Sequence, residues 1–182
     1  MKGIVFNDFL EMVEEDFDVV QLDLIMQTAD LPGDGVYTSV GNYDYSELLG
    51  LIVAASEVTG VAIPALLYAF GHHLFQTLGK RFPELLAPMT GAFDLFLGIE
   101  DIIHAEVRKL YPDAELPRFE CALVTPNQMT MLYESPRRLA VLAHGLIDAG
   151  AEHFDEDISV TAENLSDSPD EKVLFTLERA AV

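Results

Sequence analysis

Ser135-Pro136-Arg137-Arg138 sets two guanidinium groups at what reads as the start of a helix. Serine is a favoured N-cap and proline a favoured first helical residue. The positive end of the helix dipole ordinarily selects Asp or Glu there, not arginine. The chain holds 31 Asp and Glu against 10 Lys and Arg, so acids were available for that turn. Free backbone N–H groups and a two-pronged arginine suit the segment to a carboxylate or phosphate. Tyr133, at the end of the preceding strand, would add a hydroxyl. Local chemistry alone leaves open a surface arginine pair matched to neighbouring acids.

His104 is the second residue with chemical potential, either as a ligand or as a packed side chain of an amphipathic helix. His72 and His73 are adjacent and so face different ways, and His144 and His153 lie nine apart, which is no ligand spacing. A histidine-carboxylate metal centre has little support. Glu100 or Asp101 could form an acid–base pair with His104, but no nucleophile, phosphate loop or metal signature accompanies it. The chain therefore does not read as an enzyme.

The elements that must position these residues follow from periodicity. Apolar residues at helical spacing predict one helix over 3–28, broken by Leu31-Pro-Gly-Asp-Gly. A second helix covers 46–58 with Gly60 beyond its end, and Pro64 opens a third running to about Leu78. Pro83 and Pro88 punctuate the next connection. A long helix over 94–110 has its main stripe at Leu95, Ile99, Ile102, Ile103 and Val107. Leu97, His104 and Tyr111, seven apart, form a second line roughly 120° away at ~100° per residue, so the helix is covered on two sides. After Pro117 a hairpin is expected over 119–134, a helix from Ser135 to about Phe154, and strands at 157–162 and 172–178 around a polar turn at 164–170. Helices followed by β-β-α-β-β make an α+β fold with an antiparallel sheet. One domain is expected over 1–182, with a helical subdomain over about 1–60 and the remainder at about 61–182.

Bulk properties exclude several partners. A net charge of −21 repels phosphate backbones and anionic lipid, which argues against nucleic acid and membrane surfaces. From Leu48 to Phe70 only Glu57 is charged, but Gly60 and Pro64 split the run below the ~20 apolar residues of a span. The opening residues do not read as a secretory signal. Cys121 is the sole cysteine, excluding an internal disulfide and suiting a reducing cytoplasm.

Tyr133-Glu134-Ser135-Pro136-Arg137 matches the Tyr-x-Ser-x-Arg motif of the H-NOX family, haem-binding gas sensors, here of the stand-alone bacterial type. His104 upstream, Leu110-Tyr111-Pro112, the opening Met1-Lys2-Gly3 and Pro117, thirteen residues after His104, extend the resemblance over the whole length. The resemblance implies haem b buried between the two parts, with His104 as proximal iron ligand. Tyr133, Ser135 and Arg137 would bind the propionates, Pro117 would press on the macrocycle, and Leu97 and Tyr111 would flank His104.

Oxygen-binding members carry a distal tyrosine five residues after the motif arginine, where this chain has Leu142. Phe9 and Leu74 fall at the supporting polar positions, and Val5, Leu78 and Leu146 extend the apolar lining. Without a donor for bound oxygen, nitric oxide and carbon monoxide are the expected ligands of the ferrous iron. Nitric oxide would break the Fe–His104 bond to give a five-coordinate nitrosyl, and the haem would relax against Pro117. Output would pass to a separate protein, by resemblance a histidine kinase or a cyclic-di-GMP enzyme. The cysteines of zinc-binding relatives are missing at Leu139 and over 165–173. The competing expectation is a haem-free module in which Arg137 and Arg138 receive a small anion.

Overall fold

The computed structural model describes residues 1–166 and 170–180. Helix α1, Gly3–Phe17, buries Phe6, Phe9, Met12 and Val13, and α2, Val19–Ala29, follows directly. The single helix expected over 3–28 is thus two. Asp18 leaves helical geometry at φ 111° and its carboxylate accepts the Val20 and Gln21 N–H groups at 2.9 Å each, capping α2. Helix α3, Tyr45–Thr59, starts behind Asp44, whose carboxylate takes the Ser46 N–H at 2.8 Å, and ends on Gly60 at φ 73°. Helix α4, Ile63–Arg81, has Pro64 in its first turn and Lys80 and Arg81 in its last, in accord with the helix dipole. No single helix among the described residues is long and apolar enough to cross a membrane; α3 and α4 meet that test only as a pair bent by 115°.

A short helix α5, Pro83–Leu86, leads to the stretch that carries His104. The uniform helix expected over 94–110 is instead α6, Ala92–Leu97, a π-helical turn, Ile99–His104, and α7, Ala105–Leu110. The Ile103 N–H reaches back five residues to the Gly98 carbonyl at 3.1 Å, so this turn holds an extra residue and shifts the phase of everything before it.

Among the described residues four strands form one antiparallel sheet in the order β1-β2-β4-β3. They are β1, Arg118–Thr125, β2, Gln128–Ser135, β3, Ile158–Asn164, and β4, Glu171–Arg179. Helix α8, Ala140–His153, joins the two hairpins. Within the expected turn at 164–170, the Asn164 side chain accepts the Ser166 N–H at 2.8 Å, while 167–169 lie outside the described residues. Ser135 does not cap α8, contrary to the sequence expectation. It is the last residue of β2, opposite Glu171 of β4, and the chain turns through Arg138 at φ 53° before α8 begins.

Two apolar cores result. The first gathers Phe6, Phe9 and Ile25 with Leu48, Leu51, Leu66 and Phe70 of α3 and α4, and extends to Leu139 and Leu142. The second joins Phe93, Leu95 and Phe96 of α6 to Met129, Met131, Phe175 and Leu177 of the sheet and to Ile147 of α8. Burying each such side chain contributes roughly 1.5–3 kcal/mol. Helix α4 supplies the first core and also packs closely on α8, so it ties the two together.

Candidate functional site

Between the cores lies a cavity of about 880 Å³ with largely apolar walls. Leu74 and Leu78 of α4, Leu142 and Leu146 of α8, and Val5 of α1 face it, as do Pro117, Tyr111 and His104. Two residues expected there are elsewhere. Phe9 is fully buried in the first core, its ring edge-on to Phe70 at 5.1 Å between centroids. Leu97 is 44% exposed, because the π turn displaces it from the line of His104; Ile99, Ile103 and Val107 form that wall instead.

His104 closes the π turn and is buried at the cavity wall. Its Nδ1 lies 3.1 Å from Glu100 Oε1, an oxygen that also accepts the Phe119 N–H at 2.9 Å. Burial lowers the imidazole pKa from its usual value, opposed by the Glu100 charge, so the ring is neutral at neutral pH. A neutral imidazole donating Nδ1–H to a carboxylate keeps its Nε2 lone pair for a metal.

The spacing of Tyr133 and Ser135 has a strand origin. Residues two apart on β2 point to one face, and Met129, Met131, Tyr133 and Ser135 are all buried there. The Tyr133 hydroxyl accepts the Leu139 N–H at 3.2 Å, and Ser135 Oγ accepts the Arg137 N–H at 3.2 Å. Burial raises the Tyr133 pKa, against the hydrogen bonds from Ser135 and Leu139 that lower it. Arg137, two residues beyond the strand pair, donates through Nη1 to the Glu115 carbonyl at 2.6 Å and through Nη2 to the Glu115 carboxylate. Its side chain is mostly buried while that of Glu115 is exposed, so Arg137 is a carboxylate-binding group at the rim of an apolar cavity.

Several contributors were not singled out from sequence. In the sequence Glu100 stands out only as a partner in proton transfer, and Glu115 and Tyr45, whose hydroxyl donates to the Arg137 carbonyl, carry no local signal. The Met1-Lys2-Gly3 start acquires a physical reason. Lys2 reaches Asp113 at 2.6 Å, and a Cβ on Gly3 would fall 2.1 Å from the Thr38 carbonyl oxygen. His72 and His73 stay away from the cavity: His72 Nε2 sits 2.8 Å from Glu152, and His73 Nδ1 is 3.8 Å from Glu15.

Among the described residues no three His, Cys, Asp or Glu side chains are grouped to hold a bare ion. One imidazole can then take a metal only if the ligand brings the remaining donors, as a porphyrin does. An apolar slot, a neutral histidine on its wall and an arginine already holding a carboxylate at its rim fit a flat, apolar, carboxylate-bearing metal complex.

A family model described as Haem-NO-binding matches residues 2–162. Among similar solved structures, the Fe(II) unliganded H-NOX protein from K. algicida is 37% identical with TM-score 0.92, covering 100% of this chain and 98% of that one. An H-NOX protein from S. oneidensis in the Fe(II)NO state is 30% identical with TM-score 0.90, covering 100% of both. The H-NOX from Shewanella woodyi, bound to IWP-051 in the Fe(II)CO state, is 40% identical with TM-score 0.85, covering 99% of this chain and 95% of that one. No match is found among the curated proteins.

Proposed function

Because the chain belongs to the haem-NO-binding family of haem-based gas-sensor domains, we propose that it binds nitric oxide and carbon monoxide, excludes oxygen, and regulates a separate signalling protein in the cytoplasm. The observation that carries this reading is the Glu100-anchored His104 on the wall of an apolar cavity rimmed by Arg137. When bound, haem b would supply a ferrous iron able to take up diatomic gases.

His104 would hold the iron through Nε2. Tyr133 and Ser135 present hydroxyls to the propionates, and Arg137 exchanges the Glu115 carboxylate for a propionate. Pro117, which lines the same cavity as His104, would bear on the bound group. Val5, Leu74, Leu78, Leu142 and Leu146 exclude water and offer no hydrogen-bond donor, so oxygen, which gains most from one, is disfavoured.

His104 would couple the bound group to the π turn and α7, so that gas binding would be read as a shift of these elements against the N-terminal part. Lys2, joined to Asp113 just beyond α7, transmits that shift. A partner that prefers one arrangement then reads the change in population. A histidine kinase or a cyclic-di-GMP enzyme is the partner class in keeping with the family, and the chain itself acts without catalysing a reaction.

Titration of the wild type and of His104→Ala with haem tests the reading. A Soret band at one haem per chain, shifted in His104→Ala and restored by added imidazole, is expected. No haem uptake, or an identical band in both proteins, overturns it and favours the haem-free anion module.

A further inference from the structure

We infer that Glu100 is a positioning residue for the iron ligand, holding the His104 imidazole in one tautomer and one place relative to the sheet and thereby setting the strength of the Fe–His104 bond. This rests on the proposed ligation of haem iron by His104. Glu100 and His104 are the second and last residues of the π turn, and Glu100 Oε1 lies 3.1 Å from His104 Nδ1. The same oxygen accepts the Phe119 backbone N–H at 2.9 Å, and Oε2 lies 3.6 Å from Arg108 Nη2.

An ionised carboxylate only accepts, so its neighbour at Nδ1 must be the protonated nitrogen, which assigns Nε2 to the metal. A carboxylate at Nδ1–H also draws that proton toward itself and makes Nε2 a stronger donor. Arg108 at 3.6 Å and partial exposure of Glu100 temper the effect.

The second hydrogen bond gives Glu100 a mechanical role. Phe119 pairs with Tyr133 across β1 and β2, and their rings lie edge to face at 5.5 Å between centroids. One carboxylate oxygen thus links His104 to the strand pair that presents Tyr133. The ligand nitrogen is fixed in the frame of the sheet.

Resonance Raman spectra of the reduced, haem-loaded wild type, Glu100→Gln and Glu100→Ala test this. Glutamine keeps an acceptor oxygen for both N–H groups and removes the charge, whereas alanine removes the bonds. The Fe–His stretching band is expected to fall in frequency in Glu100→Gln and further in Glu100→Ala, with haem loss on the order of tenfold faster in the latter. Should Glu100→Ala fail to fold, Glu100→Gln decides alone. A wild-type Fe–His band unchanged in the variants overturns this inference by itself; absence of any Fe–His band in the wild type overturns the ligation on which it rests as well.

Discussion

Gly145 of α8 lies so close to the Tyr68 carbonyl of α4 that a Cβ on it would fall 2.1 Å from that oxygen, and Gly71 meets the Leu142 carbonyl in the same way. The two helices touch backbone to backbone. Tyr68 OH donates to Asp148 at 2.5 Å and His72 Nε2 sits 2.8 Å from Glu152, which fix the crossing from its exposed side. Leu74 and Leu78 on one helix and Leu142 and Leu146 on the other can then form a single wall of the cavity.

Gly145→Ala should force these helices apart. Overpacking of this kind costs about 1–3 kcal/mol. The denaturation midpoint should fall accordingly with little change in its slope, since the unfolded chain is almost the same. A variant as stable as the wild type would contradict the contact.

Asp8 is fully buried in α1, and Arg81, at the end of α4, donates to its two oxygens at 3.0 and 3.4 Å. Arg81→Met leaves a buried carboxylate without its cation, at a cost of about 2–3 kcal/mol given the partial exposure of the arginine. Adding Asp8→Asn should recover part of that loss. A double-mutant cycle on urea melts measures the coupling, and additive single effects would refute it.

The parts of this architecture written in local pattern were readable. Alternation marked the strands, and Gly60 and Pro64 marked helix ends with backbone geometry of their own, whereas the Asp44 cap of α3 emerged only in the structure. What escaped depended on distant groups or on changes of phase. Ser135-Pro136 carries the chemistry of a helix start, yet pairing of β2 with β4 extends to Ser135↔Glu171, and Glu171 supplies the carboxylate at the true start of α8, taking the Ala140 N–H at 3.0 Å. The arginines therefore do not face an uncompensated helix end, and the groups suited to an anion are the strand-spaced Tyr133 and Ser135 with Arg137 beyond them. The π turn before His104 leaves no periodic signature, so an α-helical phase put Leu97 on the wrong face. The break at Asp18 is invisible because the residues on both sides keep helical periodicity.

The Asp113 carboxyl is held below its ordinary range, first by the hydrogen bond from Lys2 and then by that from Asn42. A depressed native value contributes stability above the unfolded value, ~3.9, and loses it as pH falls through the native one. Thermal midpoints of the wild type and Asp113→Asn should differ at about pH 6 and converge as pH falls below the unfolded value. A gap independent of pH would contradict the Lys2–Asp113 clasp.

Leu142→Tyr introduces a hydroxyl into the wall of the cavity that His104 also lines. A hydrogen bond to the partial negative charge on bound oxygen contributes about 1.5–3 kcal/mol, or roughly tenfold to hundredfold in affinity. Oxygen titration of the reduced variant should give a stable oxy spectrum. An affinity equal to that of the wild type would show that Leu142 does not govern ligand choice.

The most direct test of the sensor reading is the absorption spectrum of the reduced, haem-loaded protein, first in air and then with nitric oxide. The account predicts a ferrous spectrum with no oxy complex in air and five-coordinate iron after nitric oxide, with His104 released. A stable oxy complex, or six-coordinate iron retaining His104 after nitric oxide, would contradict it.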